Sequence, residues 1–265
     1  MFEIFKAVIL GIIEGVTEFL PISSTGHLIL ANQFISFSEN FTQKFDVIIQ
    51  LGAILAVTII YWKSLLPNKD NPLPKFTKIW SKIMVAVIPA LIFGAIFHDL
   101  IEKYLFNPLT VAISLIFWGA VILVVESKEI KIKFDTLSKM NYKSSFIIGL
   151  AQCIGMIPGT SRSAMTIIGA RLLGASRVTA VEFSFFLAIP TMIAASAFSV
   201  YKMGFDVNKL EIAILVTGFI TSFLVAWAAI RFFINFISKK DFKIFGYYRI
   251  VLGVVVLLYF LITNR

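Results

Sequence analysis

The chain has 265 residues, of which 58% are hydrophobic and only 15% charged, and its mean hydropathy is +0.90. An ordinary soluble domain has an apolar share of roughly 45–50%, so this is not one. The net charge of +9 does not point to nucleic acid, because the basic residues gather in connections between long apolar runs. A single cysteine, Cys153, excludes an internal disulfide and alone argues for no redox role.

The chain opens with residues 1–36, an apolar region interrupted at Pro21 and followed by hydroxyl residues. Glu3 and Lys6 precede an apolar stretch that runs into acidic residues with no small-residue cleavage site, so no cleavable leader is expected. Runs at 45–62, 79–98 and 108–126 follow. Each is long enough to cross a hydrocarbon core of about 30 Å at about 1.5 Å per residue. Residues 144–175 form a second interrupted region, split at Pro158 and Gly159. Its two pieces, 144–157 and 163–175, give only roughly 20 Å of helix each. Runs at 181–202, 210–237 and 244–262 complete six predicted spans.

Each interrupted region fits a helix pair that enters the membrane, breaks and leaves on the same side. Backbone at membrane depth is tolerated only where it is packed in protein or lines a polar cavity. Such a break therefore implies a cavity. Lys63, Lys69, Lys75, Lys78 and Lys82 crowd one connection, Lys128, Lys131, Lys133, Lys139 and Lys143 a second, and Arg231, Lys239, Lys240 and Lys243 a third. The connections between them are poor in basic residues, so the three rich ones are predicted to be cytoplasmic.

The two halves resemble each other. Gly11 to Glu14 aligns with Gly149 to Gln152 at an offset of 138, and Pro21 to Thr25 with Pro158 to Arg162 at 137. The predicted fold is an all-α integral membrane protein, one membrane domain over 1–265 built as an inverted repeat. Repeat 1 covers about 1–126 and repeat 2 about 144–265, each with one re-entrant pair and three transmembrane helices. Three spans are an odd number, so the halves enter from opposite sides and their tips are expected to meet near the midplane.

The first tip carries Glu14 and Glu18, four residues apart and on one helical face. Two carboxylates at membrane depth are costly unless one holds a proton, a cation sits between them, or they face water at a helix end. The pair suits a hard divalent cation with oxygen ligands, Mg²⁺ or Ca²⁺. Pro21 ends the first half-helix, and Ser23, Ser24 or Thr25 can cap the next. His27 lies three residues after Ser24, within reach of its hydroxyl, as a base or as a nucleophile in its own right. In the second tip Gly159 permits close backbone approach, and the helix that follows offers free N–H groups to a phosphate. Arg162 adds a planar fork for two phosphate oxygens, or pairs with Glu14 or Glu18 across the tips. The predicted pyrophosphate-binding residues are Gly159, Ser161, Arg162, Ser163 and Thr25; the predicted catalytic set is Glu18, Ser24, His27 and Arg162. Arg171, Arg177 and Glu182 are expected to snorkel or pair at the cytoplasmic edge. Metal-assisted phosphoryl transfer fits the inventory, and the lack of a Walker loop argues against nucleotide hydrolysis.

The stretch Glu14 to His27, ending in Pro21-Ile22-Ser23-Ser24-Thr25-Gly26-His27, and the stretch Pro158 to Ser163 resemble the two signatures of the undecaprenyl-pyrophosphate phosphatases of the bacitracin-resistance type. Phe45 to Ala53 and Glu182 to Pro190 are also similar to that family, so the resemblance covers essentially the whole chain. It implies an inner-membrane enzyme that converts the C55 carrier pyrophosphate to the monophosphate, recycling it for peptidoglycan and other wall polymers and conferring bacitracin resistance. It also implies that family roles fall on Glu14, Glu18, Ser24, His27 and Arg162. Ala164 departs from the glycine common in the family after Ser-Arg-Ser. The expected partner is a polyprenyl pyrophosphate lipid, not nucleic acid, and a homodimer is left open. A lipid-carrier flippase or transporter of the same fold is the competing function, since broken helices alone do not discriminate.

Overall fold

The computed structural model describes residues 1–69, 72–204 and 206–263. Among the described residues ten α-helices occur in the order α1 (Phe2–Thr17), α2 (Ser24–Ala31), α3 (Glu39–Ile60), α4 (Leu73–Leu105), α5 (Pro108–Glu126), α6 (Tyr142–Ile154), α7 (Arg162–Leu172), α8 (Arg177–Met203), α9 (Lys209–Ile237) and α10 (Lys243–Thr263). Helices α3, α4, α5, α8, α9 and α10 are long and apolar enough to cross a membrane, and they coincide with the six predicted spans. The 33 residues of α4 reach about 50 Å, so this helix extends well past both ends of the predicted run at 79–98. The apolar pattern marks only the part of a helix that lipid surrounds, which is why its polar ends escaped the sequence.

The order short, short, long, long, long occurs twice among the described residues. The packing is reciprocal: α1 lies against α9 and α6 against α4, while α5 pairs with α10. Close backbone approach makes these crossings possible. A Cβ on Gly149 of α6 would sit 2.3 Å from the Ala86 carbonyl oxygen of α4, and one on Gly52 of α3 would sit 2.4 Å from that of Phe219 in α9. Small residues at membrane helix contacts let dispersion act between backbones where lipid offers no hydrophobic drive.

Large apolar side chains cover the outside, among them Leu91, Ile92, Ile96, Ile113, Phe117, Val251 and Val255. In water such a surface would aggregate; in a bilayer it faces its own solvent. The inside is a phenylalanine-rich core with Phe19, Phe183, Phe185, Phe186 and Phe233 fully buried. Helices α1 and α2 join at one break, α6 and α7 at the other, and both breaks are held inside this bundle.

Gly149→Val is expected to lower stability by at least about 1–3 kcal/mol, the usual cost of overpacking. Gly94→Ala, whose added carbon meets only the Met156 methyl at 3.7 Å, is expected to stay within about 0.5 kcal/mol of the parent. Thermal unfolding of the two variants in detergent checks both.

Candidate active site

The two breaks use the same local device. Ser23 and Ser161 are the non-glycine residues with positive φ among the described residues, at 74° and 75°. Each caps the half-helix that follows, its hydroxyl accepting from Gly26 N and Ala164 N respectively, both at 3.2 Å. Positive φ costs an ordinary residue of order 1–3 kcal/mol, and the caps offset part of that. Ser23 and Ser161 therefore hold equivalent places, as do Ser24 and Arg162, the first residues of α2 and α7. This register lies one residue beyond the proline-based alignment, because a turn can absorb one residue without moving the helix that follows. Ala164 is fully buried, and its methyl group is accommodated beneath the cap.

A cavity of about 300 Å³ lies between the tips, and Glu18, Ser24, Thr25, Gly159, Ser161 and Arg162 all line it. Arg162 Nη2 lies 2.8 Å from Glu18 Oε1. The Ser24 hydroxyl donates to the other oxygen, Glu18 Oε2. One carboxylate thus receives the hydroxyl of one tip's helix and the guanidinium of the other's. Arg162 is held from further directions: its Nη1 donates to the Ser184 carbonyl at 3.2 Å, and its guanidinium lies 5.8 Å from the centre of the Phe19 ring. Both tips also meet directly through the Ser163 hydroxyl, which donates to the Leu20 carbonyl at 2.9 Å.

Three sequence-predicted residues, His27, Ser163 and Glu14, lie outside the cavity lining. His27 does not bond Ser24: its Nδ1 lies 2.7 Å from the Ser23 carbonyl oxygen and its Nε2 2.7 Å from the Tyr248 hydroxyl. A spacing of three residues permits a contact between helix neighbours, but the imidazole is instead held by the Ser23 carbonyl four residues back. His27 is absent from the cavity lining. Ser163 is absent too, its hydroxyl being engaged by Leu20 and, at 3.0 Å, Ser161 Oγ.

Glu14 is 1% exposed and its Oε1 has no hydrogen-bond partner; both side-chain heteroatoms of Gln152 are also buried and unpartnered. Buried polar atoms are nearly always satisfied. Glu14, one turn from Glu18, is a hard oxygen donor of the kind that a divalent cation takes.

Arg249 is the residue that the sequence reading missed. It is 0% exposed; its Nη1 donates to the Pro21 carbonyl at 3.0 Å and its Nη2 to those of Gly159 and Thr160 at 2.7 and 2.9 Å. The available signal was an arginine inside a predicted span, since an intramembrane charge is expensive. Glu126 was missed as well. It binds Arg171 at 3.4 Å and Arg177 at 2.8 Å, which gives the expected pairing at the membrane edge its acid. Glu182 instead lines a larger cavity of about 690 Å³ beside Lys63, Lys69 and Lys75. Phe19, Phe185, Tyr61 and Phe186 form a chain of edge-to-face rings with centres 5.3 to 6.2 Å apart, running from beside Arg162 to the lining of the larger cavity.

Residues 7–255 match the family described as Bacitracin resistance protein BacA. Undecaprenyl-diphosphatase 1 of Clostridioides difficile (strain 630) is 50% identical to this chain over 98% of it and 97% of its own length. The undecaprenyl-diphosphatase of Enterococcus faecalis is 47% identical over 97% of this chain and 96% of its own. That of Lactiplantibacillus plantarum is also 47% identical, over the full length of both.

Removing one member of a buried ion pair strands the other, at about 3–5 kcal/mol. Glu18→Ala is therefore expected to lower the melting temperature in detergent markedly, and Glu18→Ala with Arg162→Met to recover part of the loss.

Proposed function

The chain belongs to the Bacitracin resistance protein BacA family, and from this we infer that it hydrolyses undecaprenyl pyrophosphate to undecaprenyl phosphate and inorganic phosphate. It is a multi-pass enzyme of the bacterial cytoplasmic membrane, with six helices able to span it. Its activity recycles the lipid carrier for wall-polymer synthesis and confers bacitracin resistance. The observation that carries the chemistry is the meeting of Ser24 and Arg162 on the two oxygens of Glu18.

The pyrophosphate enters the cavity and takes Arg162 away from Glu18, since a phosphate offers the guanidinium a doubly charged, bidentate partner. The N-terminus of α7 faces the same anion, with Gly159 and Ser161 beside it. Gly159 has to be glycine: its φ is +84°, and a Cβ would sit 2.6 Å from the Val111 carbonyl oxygen. Glu18, released from Arg162, accepts the proton of the Ser24 hydroxyl that already donates to it. Ser24 Oγ then bonds to the terminal phosphorus as the bond from phosphorus to the bridging oxygen breaks, and the lipid monophosphate leaves. Glu18 gives that proton up to the departing monophosphate, takes another from the water that attacks the phosphoserine, and returns it to Ser24 Oγ as the phosphorus–Oγ bond breaks and phosphate leaves. A divalent cation held by Glu14 and Glu18 supplies charge neutralisation when bound. His27 supports the Ser23 carbonyl in this scheme and is not the base, because both its nitrogens are engaged elsewhere.

Opposite orientation of the two halves accounts for the reciprocal packing of α1 on α9 and α6 on α4. With the lysine-rich connections in the cytoplasm, the catalytic cavity opens to the outside. Phe106, in the lysine-poor connection between α4 and α5, and Ala195, in the second half of α8, line it.

Purified protein in detergent is expected to release phosphate from C15 and C55 pyrophosphates without any membrane gradient, and to lose that activity with a chelator. Ser24→Ala, Glu18→Gln and Arg162→Ala are each expected to lower kcat at least about 100-fold. A trapped phospho-enzyme should carry its phosphate on serine; phosphohistidine would replace this scheme with one centred on His27.

A further inference from the structure

We propose that Arg249 is a positioning residue for this reaction, locking the two broken tips together while Arg162 is occupied by substrate. The inference rests on the phosphatase reading above. Its starting point is that the reacting groups are divided between the tips: Glu18 and Ser24 on one, Gly159, Ser161 and Arg162 on the other. Misplacing such groups by about 1 Å can cost about 100-fold in rate.

Three links cross between the tips: the Arg162–Glu18 pair at 2.8 Å, the Ser163–Leu20 hydrogen bond at 2.9 Å, and the fork of Arg249. The first is the strongest by charge, yet substrate must break it in order to engage Arg162. Of the two that remain, Ser163 contributes one neutral hydrogen bond. Arg249 contributes three charge-assisted ones, to Pro21 on the first tip and to Gly159 and Thr160 on the second. It forms no salt bridge among the described residues, and the tips' own carbonyls take its two terminal nitrogens while its Nε is left buried without a partner.

The backbone behind Arg249 is stiff. Helix α10 lies so close to α5 that a Cβ on Gly119 would sit 2.8 Å from the Gly246 carbonyl oxygen, and one on Gly253 would sit 2.8 Å from that of Ala112. The same α5 abuts the second tip, where Gly159 meets Val111. Tyr248, the neighbour of Arg249, reaches the first tip by a separate route, through His27 to the Ser23 carbonyl. The α5–α10 pair is thus a frame on which both tips are hung, and Arg249 is the peg common to both.

A planar fork and a point charge separate positioning from electrostatics. Arg249→Lys keeps the charge and loses the fork; Arg249→Met keeps the stem and loses both. With farnesyl pyrophosphate as substrate, both variants are expected to lose at least about 30-fold in kcat with KM within about threefold of the parent. Tyr248→Phe, at a half-exposed position, is expected to lose about threefold to tenfold in kcat, again with KM little changed. It is the variant read if substitution at Arg249 prevents folding. Full activity of folded Arg249→Met, or of Arg249→Lys beside an inactive Arg249→Met, overturns the proposal. So does a loss confined to KM, or parental kcat in Tyr248→Phe when neither Arg249 variant folds. Parent protein that fails to hydrolyse the substrate refutes the phosphatase reading instead.

Discussion

Main chain that leaves the helix inside a bilayer must find every hydrogen bond within the protein, because lipid supplies none. The whole site is arranged around that requirement. Each break has donors at the start of the next half-helix and acceptors at the end of the last. The donors are met by the serine caps at 23 and 161. The acceptors at Pro21, Gly159 and Thr160 are met by one guanidinium from α10. Had the acceptors been met by water, the tips would be a hydrated channel. Met by arginine, they form a positively charged wall behind a small polar cavity.

That wall explains how acidic and basic groups coexist at this depth. Glu18 is 7% exposed and would be untenable alone, but it is shared by Arg162 and Ser24. In the proposed reaction the pair opens to a phosphate, which presents more charge and better geometry to the same fork. The ion pair then serves as a placeholder for the substrate, and its opening leaves a carboxylate already bonded to the hydroxyl that it would deprotonate.

The two cavities make a related point about size and chemistry. The larger, about 690 Å³, sits among lysines and away from Ser24 and Arg162; the smaller holds both. The larger space is lined by the connection after α3 and by the turn at 136–138. Chemistry instead requires convergent polar groups on rigid half-helices, and a chain of edge-to-face rings runs from Phe19 beside Arg162 to Phe186 in the larger cavity's lining.

Local patterns were enough to determine the six spans, the two interrupted pairs and the identity of Glu18, Ser24 and Arg162 as candidates for one cavity. Long apolar runs, Pro and Gly punctuation and rare intramembrane charges act over a few residues, so they can be read without knowing the fold. The partner of His27, the role of Ser163, the bridging by Arg249 and the pairing of Glu126 could not be read that way. Tyr248 is far from His27 in sequence, and Arg249 equally far from Pro21. Which polar group satisfies which is decided by the crossing of α10 over α5 and by the positive φ at Ser23. Those are long-range packing and a rare backbone angle, and neither leaves a periodic trace in the chain.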